Sequence, residues 1–531
     1  MAGYKWFFIL WMVSFSTWAQ TNRYIVFFKD KNGTPFQVSQ PEAFLSQRSI
    51  TRRTRLSIAV TSEDLPVTPA YITLVKLPGV KTFFTSRWMN AVLVEATASV
   101  ILSVAALPIV AKTELVAPGN KLLGGRVNQQ TISSAIVSPE VTKTQLYMLG
   151  IDKMHADGVY GEGVMVSILD AGFPGVNSIS PFQQIFSEGR LKMSIDFVTN
   201  SGNVYQFHDH GTKVFSVISA QVPGVFTGGA YKANYLLFVT EDVSTEYRIE
   251  EYNWLFAAEK SDSAGSDVIQ SSLGYNLFDD AAMDYKISDL DGKTAVISRA
   301  AGMARDRGII VVVSAGNQFG WPYITPPADV DGIFAVGSVN SLGIKSNFSS
   351  VGPTADGRIK PDVAALGQNV SVVLPSGIIG TDQGTSMAAP LVTSLVAGLL
   401  QAYPALMPFE VIQAIKLSAS QSSHPDNQLG YGVPNYTAVK NYLEISHSVN
   451  EVLLFPNPTT SALKLAFRTL PSGPVSISIY DLQGKQMIFP VIAFDWLNNP
   501  LDVPISNLPV GTYLLKVETS TTVKTFRFVK L

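Results

Sequence analysis

The chain has 531 residues, room for roughly three or four domains at ~100–200 residues each. It is 46% hydrophobic and 15% charged, which suits packed globular domains and excludes a disordered chain. A net charge of −2 gives no electrostatic ground for nucleic-acid binding, and the lack of cysteine excludes disulfides, thiol nucleophiles and thiolate metal sites.

Residues 1–19 read as a targeting segment. Lys5 supplies the positive charge, Trp6 to Phe15 the apolar run, and Ala19 the small residue before a cut at Gln20. The run is too short to span a membrane. An N-terminus that stays anchored in a membrane is the alternative. The apolar run after Ser386 comes nearest to a span elsewhere, and Thr393, Ser394 and Gln401 interrupt it.

Residues 21–120 read as a small α+β unit. Arg23 to Phe28 is a strand, Pro41 to Arg48 a helix capped by Ser39 or Gln40, and Tyr71 to Val75 a weak strand. Asn90 to Ala96 is a better strand, Ser99 to Ala106 a helix, and Val110 to Val116 a last strand. Arg48, Arg52, Arg53 and Arg55 form a basic cluster, expected at a solvated helix end and loop. Residues 121–141 include a Gln/Ser/Thr-rich stretch without periodicity, which suits a linker and a processing site.

From 142 to 444, strands alternate with helices. Thr144 to Ala156 reads as a helix, and Gly163 to Asp170 as a buried strand ending in an acid. Further strands are expected at Ala233 to Thr240, Val268 to Ser272, Ile309 to Ser314 and Gly332 to Ser338. Helices are expected at His210 to Ala220, Tyr247 to Lys260 and Lys293 to Arg307. The class is α/β, with a mostly parallel sheet covered by helices on both faces and its sites at the C-terminal ends of the strands. From 449 to 531, alternation at Ala462 to Phe467, Val475 to Tyr480 and Thr512 to Val517 predicts a small β-sandwich. Turn signals stand at Pro456-Asn457-Pro458 and Asp481 to Lys485. A carbohydrate-binding or adhesive module is one reading of it.

Gly384-Thr385-Ser386-Met387-Ala388-Ala389-Pro390, followed by Leu391 to Leu400, puts Ser386 in the first turn of a buried helix. Free N–H groups and the positive end of the helix dipole suit a hydroxyl nucleophile there. An ordinary serine cap is the bland reading. Of five histidines, His210 alone precedes Gly-Thr and an apolar helical run, so its ring stands at a helix start beside the sheet edge. His208 and His210 have the spacing of a metal pair but lack a third placed ligand. Asp170 ends a buried strand, where a carboxylate can orient an imidazole. Val311 to Ser314 leads through Ala315-Gly316 to the amide of Asn317, and Ser272-Leu273-Gly274 ends another strand.

Asp170-Ala171-Gly172, His210-Gly211-Thr212 and the Ser386 string, in that order, resemble the three signatures of subtilisin-like serine proteases across most of residues 145–440. The resemblance implies a peptidase with Asp170, His210 and Ser386 as triad, Asn317 in the oxyanion hole, and Ser272, Leu273 and Gly274 at the substrate edge. It implies an N-terminal propeptide that inhibits until cleaved; a permanent accessory domain is the alternative. It implies no cofactor for the chemistry, and structural calcium with no ligand loop specific enough to name. Two departures stand out: Lys213 where a second histidine is usual, expected to alter packing only, and Ala171 where serine or threonine is common. Pro456-Asn457-Pro458, Tyr480 to Gly484 and Leu508 to Tyr513 resemble the C-terminal sorting domain of type IX secretion cargo, which implies export across the outer membrane and that machinery as a partner. A neutral His210 is required of a base, so activity is expected to fall as pH drops through ~6–7. A subtilase scaffold kept for adhesion, and esterase or ligase chemistry on the same triad, are the competing classes.

Overall fold

A computed structural model of the chain describes residues 20–119, 133–134, 140–318, 323–449 and most of 452–531. The targeting segment, most of the 121–141 linker and Pro456 lie outside the described residues.

The N-terminal unit is a four-stranded antiparallel sheet in the order Lys81–Ser86, Ala91–Thr97, Thr21–Phe28, Val110–Ala117. Side-chain alternation gives it two uses. Tyr24, Val26, Phe28, Val92 and Val94 pack on Val75, Ile101 and Val104 of its own helices. Ile25, Phe27, Ala91 and Leu93 face the other way and join a core shared with the α/β unit.

Three local expectations change here. The main helix is Gln47–Arg55, not Pro41 to Arg48, of which only Pro41–Ala43 forms a short 3-10 turn. Ser46 caps it, its side chain accepting the Ser49 N–H at 3.2 Å, and this sets the start. Tyr71 to Val75 is helical, within Pro69–Val75, because Pro69 presets the first turn and Val75 is buried in the unit's own core. Lys81–Ser86 is an additional edge strand with a register shift between Thr82 and Thr85. The basic cluster is solvated only in part: Arg55 is exposed and Arg48 partly so, but Arg52 and Arg53 are 4% and 1% exposed, in ion pairs with the α/β unit.

The α/β unit holds a seven-stranded sheet, parallel throughout. Across it run Val363–Leu366, Phe334–Val339, Ile310–Ser314, Val268–Ser271, Met165–Asp170, Asn234–Val239 and Leu191–Asp196. One face, with Val166 and Ile168, packs on the helices His210–Ser219 and Thr385–Ala402. The other, with Met165 and Leu169, packs on Ile249–Ala264 and Val296–Asp306. Thr385–Ala402 is long and apolar enough to cross a membrane, but it is the core helix, mostly buried beneath the sheet. The expected helix from Thr144 to Ala156 is two, Lys143–Met148 and Ile151–Ala156, broken at Gly150 with φ of +66°.

The C-terminal region forms two antiparallel sheets around one core of Leu463, Leu465, Ile477, Ile479, Leu515, Val517 and Phe528. The turn expected at Asp481 to Lys485 is present, with the Asp481 N–H on the Lys485 carbonyl at 2.9 Å. Phe455 of this region stacks on Phe409 of the α/β unit with ring centroids 4.4 Å apart.

Candidate active site

Strand order reverses between Met165–Asp170 and Val268–Ser271, and the crevice at such a reversal, beyond the C-terminal strand ends, is where open α/β sheets bind ligands. Asp170 ends one of these strands, and Ser272 follows the other.

His210 is the first residue of its helix, and its Nδ1 lies 2.8 Å from Asp170 Oδ1. Asp170 is wholly buried, and the same oxygen accepts the Ala171 N–H at 2.7 Å. The glycines that follow each residue let the two segments meet. A Cβ on Gly211 would stand 2.3 Å from the Gly172 carbonyl oxygen; one on Gly172 would stand 2.3 Å from that of Gln206. Thr212 ties the helix start down, donating from Oγ1 to the Pro174 carbonyl at 2.8 Å.

Ser386 is in the first turn of Thr385–Ala402 and 5% exposed. Gly384 precedes it with φ of +144°, a conformation that favours glycine. Thr385 fixes the turn through Asn317, whose Oδ1 accepts both its N–H (2.9 Å) and its hydroxyl (3.0 Å). That leaves the Asn317 Nδ2 to donate elsewhere. Ser272 Oγ donates to the Ser386 carbonyl at 3.1 Å, so this predicted edge residue also holds the serine's backbone. Leu273 is buried, and Gly274 packs closely on the Pro326 carbonyl, where a Cβ would come within 3.1 Å. Asp170 and His210 are thus joined directly, as are Ser386 with Ser272 and Thr385 with Asn317. No His210–Ser386 hydrogen bond forms among the described residues. Such bonds are often long before substrate binds.

Burial works against a charged His210 ring. The charge and hydrogen bond of Asp170, with smaller help from Glu241 and Asp382, outweigh it and raise the ring to about 9. Glu241 is a residue the sequence reading missed. It stands just past Thr240, whose N–H bonds the Asp170 carbonyl at 3.0 Å. Burial, then the charge of Asp170, pushes its carboxyl up to about 7. Its signal is an acid two positions past an apolar strand, a looser form of the pattern that marks Asp170. Lys213 and Asp382 were missed as a pair, and their ion contact is 3.2 Å long.

A model of the subtilase family matches residues 161–432, just over half of the chain. The chain belongs to the subtilase family of serine proteases. A Bacteroidota S8 propeptide model matches residues 23–132 of this subtilase, and a secretion-system C-terminal sorting domain matches 453–530. The last marks it for export, as a secreted or cell-surface protein. It is 29% identical to subtilisin of Bacillus pumilus over 258 residues, covering 47% of this chain and 82% of that one. It is 28% identical to subtilisin NAT of Bacillus subtilis subsp. natto over 284 residues, and spans 65% of that relative's length and 52% of its own. Among solved structures, MycP1 from Mycobacterium smegmatis aligns with TM-score 0.46 at 21% identity, over 60% of this chain and 92% of that one. The MycP3 protease from the type VII (ESX-3) secretion system aligns with TM-score 0.48 at 19% identity, over 60% and 93%.

Subtilisins need no cofactor for their chemistry and often bind structural calcium. Among the described residues, Glu241, Glu246 and Glu250 bring carboxylate oxygens within 4.8 Å of one another. Calcium takes about six to eight oxygens. Three carboxylates alone do not complete that shell, and no calcium is assigned to them.

Proposed function

We propose that this subtilase is a secreted endopeptidase that hydrolyses peptide bonds through Asp170, His210 and Ser386. The observation that carries the reading is the 2.8 Å contact of His210 Nδ1 with buried Asp170, at the sheet edge where Ser386 begins its helix. Ser386 Oγ attacks the carbonyl carbon while its proton passes to His210 Nε2. Asp170 holds the other ring nitrogen protonated and stabilises the imidazolium. The oxyanion takes hydrogen bonds from the Ser386 N–H and Asn317 Nδ2. The imidazolium then protonates the leaving amine, and water, deprotonated by the same ring, cleaves the acyl-enzyme. Ser272, Leu273 and Gly274 offer an edge along which an extended peptide adds as a strand.

The chain is made as a precursor of a signal (1–19), an inhibitory propeptide (21–120), a processing linker (121–141), the catalytic domain (142–444) and a type IX sorting domain (449–531). Support for inhibition comes from where the propeptide ends. Val116 and Ala117 of its last strand are buried in one apolar cluster with many residues of the α/β unit, Leu273 of the substrate edge among them. Peptides or proteins are the substrates, and the type IX machinery is the export partner.

The test is labelling by a fluorophosphonate serine probe of the intact precursor and of protein cut within 121–141, each beside Ser386→Ala. Labelling of the cut form alone, silenced by the mutation, is the expected result. Equal labelling of both forms removes the inhibitor, and no labelling of any form at several pH and calcium conditions removes the protease. Peptide panels with and without an acceptor amine separate hydrolysis from ligation.

A further inference from the structure

We propose that Lys213, paired with Asp382, is a positioning residue of the peptidase site: it fastens the His210 helix to the strand that feeds Ser386 and balances carboxylate charge around the imidazole. This rests on the reading of His210 as base and Ser386 as nucleophile.

Lys213 stands one turn beyond His210 on the same helix and is 4% exposed. Its Nζ lies 3.2 Å from Asp382 Oδ2 and 3.1 Å from Asp209 Oδ1. Asp382 closes the strand Ile379–Asp382, and its Oδ1 accepts the N–H of Gln383 at 2.7 Å. From there Gln383, Gly384 and Thr385 lead to Ser386, with the Gly384 N–H held by the Gly367 carbonyl at 2.8 Å. One turn past Lys213, Ser216 Oγ accepts the Val373 N–H at 2.9 Å from the partner strand of the same hairpin. The His210 helix and the hairpin that leads into the Ser386 turn are therefore joined at two successive turns, and Lys213 makes the join nearer the chemistry, on the strand that enters that turn.

The pair is also placed to set charge. Asp170 from its strand, Glu241 from the end of Asn234–Val239, and Asp382 from the hairpin all act on His210 in one direction, favouring imidazolium. His208 and Asp209 flank it from the preceding loop, and the His208 Nδ1 accepts the His210 N–H at 3.3 Å. Lys213 is the cation paired with Asp382 of this group and with Asp209. Asp382 Oδ2 makes no directed hydrogen bond, so the contact with Lys213 is one of charge. Removing one partner of a buried pair leaves the other uncompensated. Lys213→Met therefore leaves the Asp382 charge unopposed, whereas Asp382→Asn removes a negative charge near the ring and leaves Lys213 paired with Asp209 alone, with opposite effects on the ring.

The experiment follows the rate of fluorophosphonate labelling of Ser386 against pH, on full-length chain cut within 121–141. Lys213→Met is expected to slow labelling at least about tenfold and move the acid limb to higher pH by a few tenths of a unit or more, and Asp382→Asn to move it lower. The double variant returns the limb towards its starting pH, and Lys213→Arg keeps most of the rate. Should Lys213→Met fail to fold, Asp382→Asn and Lys213→Arg carry the test. A limb that stays fixed in Asp382→Asn, or shifts in the same direction in both single variants, overturns the proposal while leaving the triad standing. Absence of labelling in the unsubstituted chain overturns the nucleophile itself.

Discussion

Arg53 of the propeptide unit donates from Nη2 to Asp262 Oδ2 of the α/β unit at 2.7 Å, with side chains 2% and 0% exposed. Arg52, at 2.5 Å, and Arg87 reach the same carboxylate. In the reverse sense, Asp64 of the propeptide unit accepts both Arg53 and, at 2.8 Å, Arg307 of the α/β unit. Two buried carboxylates thus gather four guanidinium groups across the seam. Glu259, one turn before Asp262, takes the N–H groups of Arg87 and Trp88 at 2.9 and 3.2 Å. An apolar seam would be about as strong as this one, because desolvating the charges costs about what their pairing returns. The arginines therefore contribute a fixed register more than net affinity.

Asp262→Asn should accordingly loosen the propeptide. The loss of one charge takes the shared carboxylate from Arg52 and Arg87 and leaves Arg53 with Asp64 alone, and breaking a buried pair costs about 3–5 kcal/mol. Fluorophosphonate labelling of the uncut precursor should rise by roughly 10²-fold or more, or the precursor should fail to fold. Arg48→Ala is the control. Its side chain is 39% exposed, so its pair with Asp267 is worth about 1 kcal/mol or less. Identical behaviour of the two variants would sink the seam as a specific latch.

Asn317 tests the oxyanion site. Asn317→Ala should lower kcat by about 10²–10³, the size of the effect in subtilisin itself. It also takes away the acceptor that holds Thr385. Asn317→Asp separates the two roles, since it keeps that acceptor and loses the donor. A kcat near that of the unsubstituted chain in Asn317→Asp would remove Asn317 from the oxyanion hole.

The sheet and the three signature strings were legible in the sequence because each is local. Ile168-Leu169-Asp170 and Val311 to Ser314 are apolar runs closed by a polar residue, and Gly172 and Gly211 are glycines because two backbones touch there. Tyr71 to Val75 misled because short apolar runs carry no period of their own, and Pro69 decided the matter. Arg52 and Arg53 misled for a different reason: their partner Asp262 lies more than 200 positions away, and charge alone says nothing of burial. The pairing of Lys213 with Asp382 is hidden from the sequence for the same cause, since the fold alone brings Asp382 to it.

Asp362 should govern acid stability. It accepts the Ala335 N–H at 2.9 Å and holds Lys360 at 2.6 Å and Lys416 at 2.8 Å. Burial raises its carboxyl, but Lys360 and then Lys416 outweigh this and bring it to about 2. A depressed carboxylate stabilises the fold above its unfolded value of about 3.9, and the contribution is lost as pH falls through about 2. It amounts to about 2–3 kcal/mol. Urea unfolding of Asp362→Asn beside the unsubstituted chain should show a wide gap at pH 7 that narrows below pH ~4. A gap independent of pH would refute this.

The pH–rate profile is the closing test, because it sets the sequence expectation of ~6–7 against the geometry. His210 must be neutral to accept the Ser386 proton, and the Asp170 contact raises the ring to about 9. The rate kcat/KM should therefore climb through pH 7 and 8, reach half its maximum near 9 and level off only above it. The same shift means that the pair stabilises the fold fully below the ordinary histidine value of about 6.5, and that this is lost as pH rises through about 9. Glu241, pushed up to about 7, titrates inside the same window, so the observed limb belongs to coupled groups until variants assign it. Asp170→Asn should lower the rate roughly 10⁴-fold and move the limb towards or below 6.5, since burial remains and the carboxylate is gone. Glu241→Gln should leave kcat near its starting value and move the limb down by less. A limb that vanishes in Glu241→Gln but survives Asp170→Asn unmoved would transfer the controlling proton from His210 to Glu241.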